Sequence, residues 1–114
     1  MGFLTHIQER LEWAPWRSWQ LADVVESADQ VPEYIPGKRA ILIGTFARPK
    51  WLAFDCPCRS GHRVLLNLDR NRNPFWTLLD TGRLTIKPSV DFHGNHRRCH
   101  YFVSNGRIRW VDGR

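Results

Sequence analysis

The stretch Trp51-Leu-Ala-Phe-Asp-Cys-Pro-Cys-Arg-Ser-Gly-His-Arg-Val-Leu-Leu-Asn-Leu68 decides the fold. One apolar run ends in Cys56-Pro57-Cys58, the chain turns at Ser60-Gly61, and a second apolar run resumes from Val64 to Leu68. Runs of this length and composition, broken by turn residues, predict two strands joined by a loop that holds two thiols close together. The third and last cysteine, Cys99, follows some forty residues later in His93-Gly-Asn-His-Arg-Arg-Cys-His100. A structural zinc site takes four thiolate or imidazole donors. Cys56, Cys58 and Cys99 supply three, with His62 or His96 as the fourth, so the expected site pins two hairpins together. The competing reading is three reduced, half-buried thiols in a protein of a reducing compartment.

Outward from this core, the chain of 114 residues has room for one domain. Its 42% hydrophobic and 25% charged residues are globular values, which exclude a disordered chain. No apolar run reaches spanning length and the N-terminus lacks the pattern of a signal peptide, so the expectation is a soluble, cytoplasmic protein without a membrane partner. The net charge of +6 points to an acidic partner, nucleic acid or an acidic protein surface.

Leu4, Ile7 and Leu11 share a helical face, and Thr5 with Gln8 has capping-box spacing, while Pro15 stops the run. Residues 1–19 therefore read as a helical arm, with Trp13, Trp16 and Trp19 packing it onto a β domain of residues 20–114. Strands are expected at Gln20–Glu26, Ala40–Phe46, Trp51–Phe54, Val64–Leu68, Phe75–Leu79 and Arg83–Ile86. Near the end, Asn105-Gly106 between alternating segments signals a type I′ hairpin that puts Ser104 opposite Arg107 and Tyr101 opposite Trp110. Tyr101, Val103, Ile108 and Trp110 then share the core face. Because neighbours in a strand point to opposite faces, Cys99 lies with Tyr101 and His100 with Phe102. The fold class is mainly β: a small antiparallel sheet, partly closed as a barrel or folded as a sandwich, with a short N-terminal helix and a zinc staple.

Three chemistries compete. Pro88 ends a strand and places Ser89 at its mouth, where His100 can take the hydroxyl proton and Asp91 can orient the imidazole. Alternatively, His93, His96 and His100 could hold a hydrolytic zinc, although every glutamate lies in the first third of the chain and no His-Glu-x-x-His occurs. Lastly, Arg59, Arg63, Arg70, Arg72, Arg97, Arg98, Arg107 and Arg109, interleaved with Phe75, Trp76, Phe92 and Phe102, have the composition of a single-strand nucleic-acid surface.

The residues Trp51 to Phe54, Cys-Pro-Cys with Gly61, Leu66-Asn67-Leu68, Trp76, Pro88-Ser89, and His100-Tyr-Phe running to Gly106-Arg-Ile-Arg-Trp110 together resemble the bacterial domain-of-unknown-function family 6527. The resemblance runs from about Val24 onward. It implies a deubiquitinase-like serine peptidase that matures or removes a ubiquitin-like protein, in operons with activating and conjugating enzymes linked to antiphage defence. It puts Ser89 and His100 on the serine and histidine positions and implies a structural zinc on the Cys-Pro-Cys loop and the later cysteine. Ser60 stands where a further cysteine is common, so that either a histidine is the fourth ligand or zinc is weakened or absent. The expected function is therefore peptidase action on a bacterial ubiquitin-like protein. The alternative is a non-catalytic zinc-stapled module that binds nucleic acid or a conjugation-pathway protein.

Overall fold

The structure is a computed structural model that describes residues 18–58, 61–94 and 97–111. The predicted N-terminal helix, Trp13 and Trp16 lie outside these residues. Eight strands form two four-stranded sheets. The first holds β1 (Gln20–Val25), β2 (Arg39–Gly44), β3 (Pro49–Asp55) and β4 (Arg63–Asn67), and the second β5 (Thr77–Asp80), β6 (Thr85–His93), β7 (Arg98–Ser104) and β8 (Arg107–Trp110), each in chain order across the sheet. The sheets stay open and pack as a sandwich, which settles the barrel-or-sandwich alternative. No helix among the described residues is long and apolar enough to cross a membrane.

The single-sheet, all-antiparallel expectation needs two corrections. There are two sheets, and β1 pairs with β2 in parallel, Val24 opposite Leu42. A parallel neighbour needs a crossover rather than a tight turn. The proline-bracketed segment 26–38, with a 3₁₀ turn at Ala28–Gln30, provides it.

One core cluster joins the sheets. Leu42, Leu52, Phe54, Val64 and Leu66 of the first sheet meet Ile86, Val90, Cys99, Tyr101 and Val103 of the second. Phe54 and Tyr101 are the largest fully buried side chains, so a few rings fill much of the interior. A second, smaller cluster of Ile35, Ile41, Ile43 and Ala53 lies on the other face of the first sheet, beneath the crossover. All of β2 is consequently buried, which is why it reads as a continuous apolar run rather than an alternating one.

The segment entering β1 ties the sheets at one end. Trp19 donates its backbone N–H to Gly106 at 2.8 Å and accepts from Leu84 at 3.0 Å. Gly106 has φ 74°, and a Cβ there would stand 2.5 Å from Ser18 Cβ, so only glycine fits this turn. Asn105 also has positive φ, at 55°, as a type I′ turn requires. The β7–β8 register is the one the sequence predicts, Tyr101 opposite Trp110 and Val103 opposite Ile108.

Candidate metal centre and serine–histidine pair

Hairpin β3–β4 delivers the first half of the metal centre. Its ladder closes with Asp55 opposite Arg63, and the loop is tightened by Cys56 N–H donating to His62 O at 2.8 Å and Gly61 N–H to Cys58 O at 3.2 Å. Gly61 sits at φ 63°, the left-handed conformation a glycine adopts without strain. From the other sheet, β7 supplies Cys99, fully buried and facing the core as the alternation requires. Cys56, Cys58, His62 and Cys99 bring their ligand atoms within 4.8 Å of one another. These four side chains can hold a metal ion, and three sulfurs with one imidazole are a zinc donor set. His96 lies outside the described residues.

The surroundings favour ligation. His62 Nδ1 lies 3.4 Å from Cys58 Sγ. The ring stacks on Phe92 at 3.8 Å between centroids, and its buried Nε2 has no hydrogen-bond partner. Burial, helped by the charge of Arg97, holds the imidazole below its ordinary value and so favours the neutral, ligating form. Desolvation also pushes the Cys56 thiol up to about 12, against the pull of Tyr101, and raises Cys99. Thiols this costly to ionise among apolar neighbours become thiolates when a cation supplies the compensating charge. Tyr101 Oη lies 3.4 Å from Cys56 Sγ and is fully buried. A phenol donates readily to thiolate sulfur, so it supports that ligand from behind.

The serine and histidine meet on the opposite face of the same strand. His100 sits between Cys99 and Tyr101 but points outward, and its Nε2 lies 3.0 Å from Ser89 Oγ. Ser89 is not at a strand mouth. Strand β6 continues through it to His93, and the register jumps from Ile86 opposite Val103 to Val90 opposite Tyr101. Lys87, Pro88 and Ser89 therefore bulge opposite Phe102. Pro88 explains the misreading: it lacks the N–H that a ladder needs, so it interrupts pairing without ending the strand.

Two further groups frame the pair. Trp76, at the start of β5, donates its indole N–H to Ser89 O at 3.1 Å. The indole thus holds the backbone of the bulge at the carbonyl of Ser89 itself. Trp76 is itself anchored by its N–H to Asn67 O at 2.8 Å, and the Asn67 amide donates to the carbonyls of Asp69, Arg72 and Pro74. Asp91 lies directly opposite His100 across β6–β7. Its carboxylate accepts two bonds of 2.9 Å from the Arg98 guanidinium and meets His93 Nε2 at 3.1 Å. The Arg98 bonds hold it well below the usual carboxylate range.

Among the described residues, His93 meets Asp91 and His100 meets Ser89, and neither joins the cysteine group; His96, the third imidazole of that alternative, lies outside them. Two cavities lie away from the pair. One of about 440 Å³ opens between the sheets against Leu42, Trp76 and Leu79, another of about 500 Å³ runs beside Trp19, Tyr34 and Cys56, and Ser89 and His100 line neither. Sequence reasoning named the serine, the histidine and the ligand candidates. The roles of Trp76, Tyr101 and Arg98 had no local signal, because each acts on a partner far along the chain.

A family model described as BubE, bacterial ubiquitination-like system serine protease, matches residues 27–111. No curated protein and no solved structure shows a match.

Proposed function

The chain belongs to that family, and on this premise we propose that it is a peptidase that matures or removes a bacterial ubiquitin-like protein, with Ser89 as nucleophile, His100 as base and a structural zinc on Cys56, Cys58, His62 and Cys99. The observation that carries the reading is the 3.0 Å approach of Ser89 Oγ to His100 Nε2, within the reach a general base needs. His100 takes the hydroxyl proton as Oγ attacks the scissile carbonyl. The imidazolium returns that proton to the leaving amine, and water repeats the sequence on the acyl-enzyme. Asp91, anchored by Arg98 and held ionised, faces His100 across the ladder. Trp76 fixes the Ser89 backbone while the side chain reacts.

An extended substrate tail has a place to lie. Strand β5 covers β6 only from Thr85 to Lys87, so an added strand can run alongside β6 beyond that point, next to Ser89. The zinc supplies no step in this scheme. Its ligands join the β3–β4 loop to β7, and β7 carries the base.

The test is cleavage of a bacterial ubiquitin-like precursor, with intact-mass detection of a fluorophosphonate adduct. Ser89→Ala is expected to lower turnover by at least about 10³-fold and to abolish the adduct. Full cleavage by the Ser89→Ala protein would refute the assignment.

A further inference from the structure

The face that carries Ser89 and His100 is rich in exposed cations. On β8 the inward residues Ile108 and Trp110 alternate with exposed Arg107 and Arg109, which lie opposite Ser104 and Phe102 of β7. Arg98 is exposed two residues before His100, and Lys87 is exposed two residues before Ser89. Against these cations the same face sets one carboxylate, Asp91, already held by Arg98 and His93. Asp80, exposed on the neighbouring strand, accepts from the backbone N–H groups of Gly82 and Arg83. Four further acidic side chains, Asp23, Glu26, Asp29 and Glu33, belong to β1 and the crossover of the other sheet, which also carries cations at Arg39, Lys50 and Arg63. Carboxylates are thus concentrated on the first sheet, and the exposed Lys87, Arg98, Arg107 and Arg109 flank the serine–histidine pair on the second.

We propose that this face of the second sheet, through Lys87, Arg98, Arg107 and Arg109, is the docking surface for an acidic region on the folded body of the protein substrate, and that it presents the scissile tail to Ser89. The proposal rests on the peptidase reading and adds the chemistry by which its substrate is recognised. Two observations favour a protein over the alternatives. Because the pair lies on the outer face of the second sheet and lines neither cavity described above, selectivity can come from the surface around it, which suits a macromolecule. A single-stranded nucleic acid needs free aromatic platforms, and the exposed ring on this face, Phe102, is already covered by the Arg109 guanidinium at 4.5 Å. Rim charges of this kind act mainly by steering the encounter, so their effect falls with salt.

The experiment measures kcat/KM for the full-length precursor and for a short uncharged peptide with the same scissile bond, and follows their ratio. In the Arg107→Glu/Arg109→Glu protein that ratio is expected to fall at least about tenfold, and raising salt from about 0.05 to 0.5 M should lower it in the parent. Arg48→Glu/Lys50→Glu makes the same change in net charge on the other sheet and should leave the ratio as it is, while circular dichroism checks that both variants are folded. A ratio that ignores both salt and the Arg107/Arg109 change would overturn the docking proposal while leaving the catalytic reading intact. So would an equal fall in the Arg48/Lys50 control, which would make the effect one of net charge. Salt-dependent binding of single-stranded DNA that disappears with Arg107→Glu/Arg109→Glu, with the precursor ratio unchanged, would reassign the face to nucleic acid. If the Ser89→Ala protein cleaves both substrates, it is the catalytic reading that fails.

Discussion

The two sheets are built from similar strands and put to opposite uses. The first packs Phe54 and Leu52 toward the other sheet and, at its centre, is covered on the outer side too, where Ile41 and Ile43 of the wholly buried β2 lie under the crossover with Ile35. In the second, the described residues cover the inner side, and the outer side leaves Phe102 36% exposed beside His100. A strand buried on both faces holds shape and presents nothing to solvent. A sheet covered on one face alternates core and solvent residue by residue, so one short strand can serve both. Strand β7 does this: Cys99 and Tyr101 look in, His100 and Phe102 look out.

The largest expected break in this contrast is loss of a metal from the cysteine group, since Cys56, Cys58 and His62 come from the first sheet's hairpin and Cys99 from the second sheet. Chelation, or Cys99→Ser, is expected to lower Tm by about 10 °C or more, with elemental analysis finding zinc in the parent and little in Cys99→Ser. Zinc retained in both Cys99→Ser and His62→Ala would remove the ligand assignment. Next comes a matched pair of truncations. Ile35→Ala empties a site 1% exposed on the covered sheet and should cost about 2–4 kcal/mol in urea unfolding, whereas Phe102→Ala on the open face should cost less than about 1 kcal/mol. Equal losses would mean that the two outer faces do not differ as described.

Smaller effects sharpen the open face itself. Trp76→Phe keeps a ring but loses the bond to Ser89 O, worth about 1 kcal/mol. A fall in kcat of about fivefold with little change in KM is expected, and a KM effect alone would deny the indole its positioning role. Asp91→Asn should be smallest, less than about threefold in kcat, because its partners are exposed and solvent screens them. Its pH dependence has a definite sign. A carboxyl held low in the folded state contributes stability above its ordinary value of 3.8 and loses it as pH falls through the lower folded value. Parent and Asp91→Asn should therefore differ in Tm at neutral pH and converge in strong acid.

Much of this was legible in the sequence because it is local. Asn105-Gly106 fixed a turn type, the turn type fixed the register, and strand alternation then separated Cys99 from His100. The fold of hairpin β3–β4 was readable for the same reason, from two apolar runs around Cys-Pro-Cys. What escaped depends on distant pairing. The parallel partnership of β1 with β2 is set by how the crossover packs. The bulge at Lys87–Ser89 makes Ser89 part of a continuous strand, yet Pro88 alone reads as a strand end. The place of His62 needed the third dimension, since it is the loop geometry that brings its Nδ1 toward the sulfurs, while His96 lies outside the described residues.

Cys99, His100 and Tyr101 are consecutive, so the pleat of one strand couples two properties that proteins usually vary separately. Any change that reseats the cysteine rotates the imidazole by the same backbone movement. On the peptidase reading, loss of a metal from the cysteine group is therefore expected to act as an off-switch that needs no contact with the hydroxyl, so that weakening the scaffold would also detune the serine–histidine pair.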